Sequence, residues 1–287
     1  MEVRDAKVLI GTPNYMNMFW SEVHSNHIES AVEWKGQGID FNWMIVGRSF
    51  VHFARTQVCD AAINGKFTHV FWVDDDAIIP PNTLKRFIEH DKDVVVAPYP
   101  MRKPPHEIGI LSHPDGDFHD HSGYRNWTPD DLNKGMVQCD GAGTHCMLIK
   151  VDILNKLYGP IAAQSREEGM SVQGTLEDEN KNGLPYFVMP KVGTEDMYFC
   201  YRVKCKGGEI WCDTDIFAGH VGFAPLIRRE HSDYYHDEEH KGVKPTVHNS
   251  IPVLSVREGS SQSQEHNMEL SGVREQSLDK SNATSLV

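Results

Sequence analysis

The stretch His69-Val70-Phe71-Trp72-Val73 runs without a break into Asp74, Asp75 and Asp76. A short apolar run of this kind reads as a buried strand. It constrains the fold because it must deliver three consecutive carboxylates to its C-terminal end. In open α/β sheets, ligands bind at that edge. Adjacent carboxylates repel one another, so something has to balance them. A divalent cation does so economically, and hard oxygen ligands suit Mg²⁺ or Mn²⁺. Such an ion could also hold a diphosphate. The competing reading is a strand-to-helix turn in which Asp serves as a cap.

The segments around this strand alternate in type. Val8, Leu9 and Ile10 form a short apolar run stopped by Gly11, Thr12 and Pro13. Ser25 to Lys35 reads as helix and Phe41 to Val46 as strand. Ser49 is placed to cap a helix carrying Val51, Ala54, Val58, Ala61 and Ala62 on one face. Pro80 and Pro81 open a further helix with Leu84, Phe87 and Ile88 at helical spacing. Asp93 to Ala97 is a fourth strand. Strands alternating with helices predict an α/β fold with a mainly parallel central sheet flanked by helices. Residues 102–135 and 164–185 read as loops. Val137 to Asp140 and Cys146 to Ile149 resume strand character. Glu195 to Lys206 reads as a helix ended by Gly207 and Gly208, and Glu209 to Cys212 as a last strand.

Three further groups of residues bear on chemistry. Glu195 and Asp196 sit at a helix start, where acidic residues are favoured by the dipole. The functional reading is a general base. His220 lies between Gly219 and Gly222, where imidazole suits Mn²⁺ as a ligand and fits Mg²⁺ poorly. Gly141 and Gly143 follow Asp140 without GxGxxG spacing, so they form either a tight turn or a place where a ligand approaches the backbone.

The formal net charge of −13 disfavours general nucleic-acid binding. The six cysteines form no CxxC pair and read as reduced thiols, several of them in apolar patterns where a thiol fills a small core position. No run of about 18 apolar residues occurs, so a membrane span is not expected. The N-terminus has no signal-peptide pattern, and a cytoplasmic location is expected.

Taken in order, these pieces resemble a GT-A glycosyltransferase of the family 2 type, in the compact stand-alone form found in bacteriophages and bacteria. The most specific part runs from Ala54-Arg55-Thr56 through Thr68 to Asp76 and on to Ile79-Pro80-Pro81. The resemblance implies a nucleotide-diphosphate sugar as donor, with Asp74 and Asp76 on the sugar nucleotide and its Mn²⁺ or Mg²⁺. Asp75 takes the variable middle position beside the donor. It implies Thr12 and Pro13 at the base and ribose, and Arg55 facing the donor. Gly141 and Gly143 fall beside the sugar and acceptor, and His220 completes the metal site. Glu195 and Asp196 match the ED pair, with Asp196 the base of an inverting transfer to an unidentified hydroxyl acceptor. That acceptor is a glycan, a small molecule or, less favoured, a modified nucleic acid.

The implied domain spans 1–235, with a nucleotide-binding half at 6–101 and an acceptor half at 102–235. A C-terminal extension follows at 236–287. From about Gly259 its Ser, Gln and Glu content is that of a loosely packed or disordered segment. A nucleotidyltransferase of related fold is the enzymatic alternative, but Gly11-Thr12-Pro13-Asn14-Tyr15 lacks the basic residues such a loop carries. A non-catalytic sugar- or metal-binding protein is the third reading.

Overall fold

Strand β1 (Lys7–Asn14) forms around Val8, Leu9 and Ile10, all buried. Alternate side chains point to opposite faces of a strand, and both faces here are covered. The computed structural model describes residues 2–119, 123–157, 185–190 and 193–222. After β1 come α1 (Ser21–Gly36), β2 (Asp40–Gly47), α2 (Val51–Asn64), β3 (His69–Val73), β4 (Ala77–Ile78), α3 (Thr83–His90) and β5 (Val94–Val96). Then follow β6 (Ile108–Ser112), β7 (Arg125–Trp127), β8 (Met136–Gln138), β9 (Gly141–Ala142), β10 (Cys146–Lys150) and α4 (Val151–Leu157). The last are α5 (Glu195–Cys205), β11 (Ile210–Asp213) and β12 (Gly219–His220).

Seven strands build the central sheet in the order β2-β1-β3-β10-β5-β11-β8. The pairs β1–β2, β1–β3 and β5–β11 are parallel, whereas β10 runs antiparallel to both β3 and β5. The expected α/β layout with a mostly parallel sheet is therefore present, with β10 and β8 reversed. Leu9, Val70, Trp72 and Ile149 pack on one face with Val58 of α2, Leu154 of α4 and Phe199 of α5. Ile10, Phe71, Val73 and Leu148 pack on the other with Trp34 of α1 and Leu84 and Phe87 of α3. Gly11 is required where β1 crosses under this packing. A Cβ there would lie 2.5 Å from the Trp72 ring and 2.7 Å from Val58.

Three expectations are corrected. Ser49 does not cap α2, because the helix starts after Phe50 and no side chain caps it. The third helix begins at Thr83, with Pro80 and Pro81 in the preceding turn; the Pro80 carbonyl accepts the Thr83 hydroxyl bond at 2.6 Å. Residues 102–135 are not one loop: β6 pairs antiparallel with β7 and β9 to give a second, three-stranded sheet. The loop read at 164–185 falls almost wholly outside the described residues, and the C-terminal extension at 236–287 does so entirely. Cys59, Cys139, Cys146, Cys200 and Cys212 are buried, as small core residues are. Among the described residues no helix is long and apolar enough to cross a membrane.

One buried group gives the fold a pH dependence. His69 at the start of β3 is shut in beside Thr68, and burial, with Lys150 assisting, lowers its pKa from 6.5 to about 4. The unfolded chain then binds the proton first as the pH falls. Stability is full above 6.5 and declines toward 4, by up to about 1.4 kcal/mol per pH unit for this group. Urea unfolding at pH 7 and pH 5 should show the loss, and His69→Gln should shrink the difference between the two.

Candidate metal and donor site

The acidic triplet leaves β3 in a turn, closed by the Ala77 N–H donating to the Asp74 carbonyl at 3.1 Å. The antiparallel pairing of β10 with β3 sets Cys146 opposite Val73. His145, one residue earlier, therefore lies beside the triplet, and its carbonyl accepts the Asp74 N–H at 3.2 Å. The pairing of β12 with β4 sets His220 opposite Ala77. Two separate strand pairings thus bring two imidazoles to one carboxylate.

Donor atoms of Asp76, His145 and His220 all lie within 4.8 Å of one another. His145 Nδ1 is 3.5 Å from Asp76 Oδ1, and His220 Nε2 is 3.4 Å from Asp76 Oδ2. The other ring nitrogens are committed to backbone carbonyls: His145 Nε2 to Gly219 at 2.9 Å and His220 Nδ1 to Pro100 at 3.0 Å. A carbonyl only accepts, so each of those nitrogens carries the proton. His145 Nδ1 and His220 Nε2, which face Asp76, are then the nitrogens left to act as ligands. This is how metal-ligating histidines are oriented from behind. Two imidazoles and one carboxylate fit a divalent transition ion such as Mn²⁺ better than Mg²⁺.

Charge at the site is strongly coupled. Burial works against ionised Asp76, but the neighbouring His145 and His220 outweigh that and hold it below the usual carboxylate range. Burial likewise opposes protonation of His145, and Asp76 and Asp74 overcome it, raising the pKa. Asp75, half-buried and flanked by Asp76 and Asp74, is pushed up to about 7, mainly by desolvation.

Asp74 faces differently from Asp76. Its carboxylate accepts from Arg55 Nη2 at 3.1 and 3.4 Å, and Arg55 Nε reaches Glu195 at 3.4 Å. Arg55 is 3% exposed and lies over the rings of Trp72 and Phe187. Its Nη1 finds no hydrogen-bond partner among the described residues. An unmatched buried guanidinium donor is costly. Burial and the neighbouring Asp196 raise the Glu195 pKa, against the pull of Arg55.

A cavity of about 490 Å³ opens on this edge. Arg55, Asp74, Asp75, Asp76 and Arg102 give its lining charge, and Pro13, Tyr15, Met16, Met18, Phe19 and Trp20 contribute apolar surface. The apolar stretch from Tyr15 to Trp20 was not legible in the sequence. It is held by Asn14, whose side-chain amide donates to the Met18 carbonyl and accepts from the Met18 N–H, each at 3.0 Å. Thr12 is placed elsewhere. Its hydroxyl donates to the Val73 carbonyl at 2.7 Å and accepts from Trp43 at 2.9 Å, fully buried beneath the cavity.

Asp196 does not line this cavity. Its Oδ1 accepts from the Met197 N–H at 2.8 Å and from the Thr194 hydroxyl. A Cβ at Gly143 would lie 3.2 Å from Asp196 Oδ2 and would collide with the Tyr99 hydroxyl. A Cβ at Gly141 would collide with the end of the Met197 side chain. The two glycines thus admit α5 and Tyr99 to close range. The Tyr99 ring in turn packs against His145, tilted by 32° with centroids 4.4 Å apart, and so links Asp196 to the histidine cluster.

No protein-family model matches the sequence, and no curated protein matches it. Partial likenesses to solved structures exist. One is A197 from STIV, at 15% identity over 77% of this chain and 93% of that one, with a TM-score of 0.48. Another is GalNAc-T7, crystallised with UDP, GalNAc and Mn²⁺, at 13% identity, TM-score 0.41, over 76% of this chain and 44% of that one. A third is mannose-1-phosphate geranyltransferase from Thermus thermophilus, at 12% identity, TM-score 0.36, over 74% of each chain. These are partial likenesses of fold alone. The chemistry rests on the residues themselves.

Proposed function

We propose that this protein transfers a glycosyl group from a nucleoside-diphosphate sugar to a hydroxyl acceptor, using a divalent cation. The observation that carries the reading is the Asp76–His145–His220 cluster at the rim of a cavity that also holds Arg55. A donor set of two nitrogens and one oxygen would by itself also suit Fe²⁺ or Zn²⁺. The guanidinium groups beside it favour an anionic partner such as a diphosphate. Asp76, His145 and His220 would hold the ion. When bound, it supplies Lewis-acid stabilisation of the departing diphosphate. Arg55 keeps Asp74 oriented and adds its positive charge to the cavity wall. Tyr15, Met18 and Trp20 give an apolar wall suited to a nucleobase. Asp196 takes the acceptor hydroxyl's proton as that oxygen forms the bond to the anomeric carbon, and the bond to the diphosphate oxygen breaks.

Thermal-shift measurements separate this from its rivals, because a ligand stabilises the folded state according to its affinity and concentration. Nucleoside-diphosphate sugars with Mn²⁺ should raise Tm, and nucleoside triphosphates should raise it less. The opposite order would favour nucleotidyl transfer. Stabilisation by sugar nucleotide with no turnover on any hydroxyl acceptor would favour a binding protein.

A further inference from the structure

Arg102 belongs to the cluster without belonging to the ligand set. It follows β5, and its guanidinium bonds to both of the atoms of Asp76 and His220 that face each other. Nε–H donates to His220 Nε2 at 2.8 Å, and Nη2 is bonded to Asp76 Oδ2. His220 Nε2 is the atom that would ligate a divalent ion, because Nδ1 is bonded to the Pro100 carbonyl, and Asp76 Oδ2 faces the same point, 3.4 Å from it. The His220 Nε2 lone pair takes one partner at a time, so an N–H from Arg102 and a metal ion exclude each other there. Asp76 Oδ1 and His145 Nδ1, 3.5 Å apart, form the other half of the group. The overlap is therefore with half of the site.

Two more observations give the arrangement a direction. The Arg102 side chain is 51% exposed, so it can turn without unfolding anything around it, whereas Asp76 is 8% exposed and fixed. Arg102 also lines the cavity, together with Arg55. A guanidinium that leaves Asp76 remains on the wall where a diphosphate would lie. Its planar fork of donors matches phosphate oxygens.

We infer that Arg102 is an internal cation that competes with the metal for Asp76 and His220, and that metal binding releases it to the donor's diphosphate. Metal and donor binding are then coupled in order. The metal frees the arginine, and the arginine adds to donor affinity. The second half of this inference rests on the glycosyltransferase reading, and the first half does not.

The test uses the full chain and Mn²⁺ alone, followed by electron paramagnetic resonance of the free ion. Arg102→Met should bind Mn²⁺ about tenfold more tightly than the wild type, the scale of one charge-assisted hydrogen bond. Arg102→Lys keeps a charge without the fork and should fall between them. At saturating Mn²⁺, Arg102→Met should bind inorganic pyrophosphate about tenfold more weakly. Equal or weaker Mn²⁺ binding by Arg102→Met overturns the competition. Tighter Mn²⁺ binding with unchanged pyrophosphate affinity overturns the hand-over. If Mn²⁺ and pyrophosphate behave as expected but no sugar nucleotide binds to the wild type, the competition stands and the glycosyltransferase reading fails.

Discussion

Asp196→Asn is expected to lower kcat by about 10²- to 10⁴-fold, the usual contribution of a positioned general base. The geometry makes this substitution informative. Oδ1 is engaged by Met197 N–H and Thr194, and an Asn carbonyl can accept both bonds. Oδ2, which faces Gly143, becomes an NH₂ group that cannot take a proton. Fold and donor affinity should be preserved, with nucleotide binding within a few-fold of the wild type. Hydrolysis of the donor without acceptor should fall in parallel, since water needs the same base. If Asp196 serves only the helix dipole, the loss is about 0.3–1 kcal/mol of stability with near-normal turnover. Measuring kcat and nucleotide affinity on one sample decides between the two.

Asp76→Ala should have the opposite signature. Both imidazoles converge on this carboxylate, so its loss removes the centre of the cluster. Even a residue that only supports a metal ligand costs about 10–100-fold in metal affinity when removed. A direct ligand is expected to cost at least that. Isothermal titration with Mn²⁺ should show it, with nucleotide affinity falling only when Mn²⁺ is present. His145→Ala should weaken Mn²⁺ binding as His220→Ala does. If His145 were merely a core residue bonded to the Gly219 carbonyl, His145→Ala would lower Tm and leave the metal affinity of the folded fraction unchanged.

What could be read in advance follows from how local each signal is. The strand His69–Val73 and its three aspartates were legible because one contiguous segment carries both the burial pattern and the charge. His220 drew attention through its flanking glycines. His145 did not, because its place depends on β10 running antiparallel to β3, and a chain of alternating strands and helices predicts parallel neighbours. The glycines at 141 and 143 looked like a turn. Their reason is the approach of Met197, Tyr99 and Asp196 from elements distant in sequence. The strands β6 and β7 were hidden in a stretch rich in Pro, Gly and His, too short to show a period. The apolar wall from Tyr15 to Trp20 has no period either, and a side-chain clasp by Asn14 fixes it.

The central claim is that Asp76, His145 and His220 hold a divalent ion against the diphosphate of a sugar nucleotide. Pulsed electron paramagnetic resonance of the Mn²⁺ complex with UDP tests it directly. One tightly bound Mn²⁺ per chain is expected, coupled to ¹⁴N of two imidazoles and, once UDP is added, to ³¹P. A bound Mn²⁺ with no nitrogen coupling, or with no phosphorus coupling at saturating UDP, would contradict it.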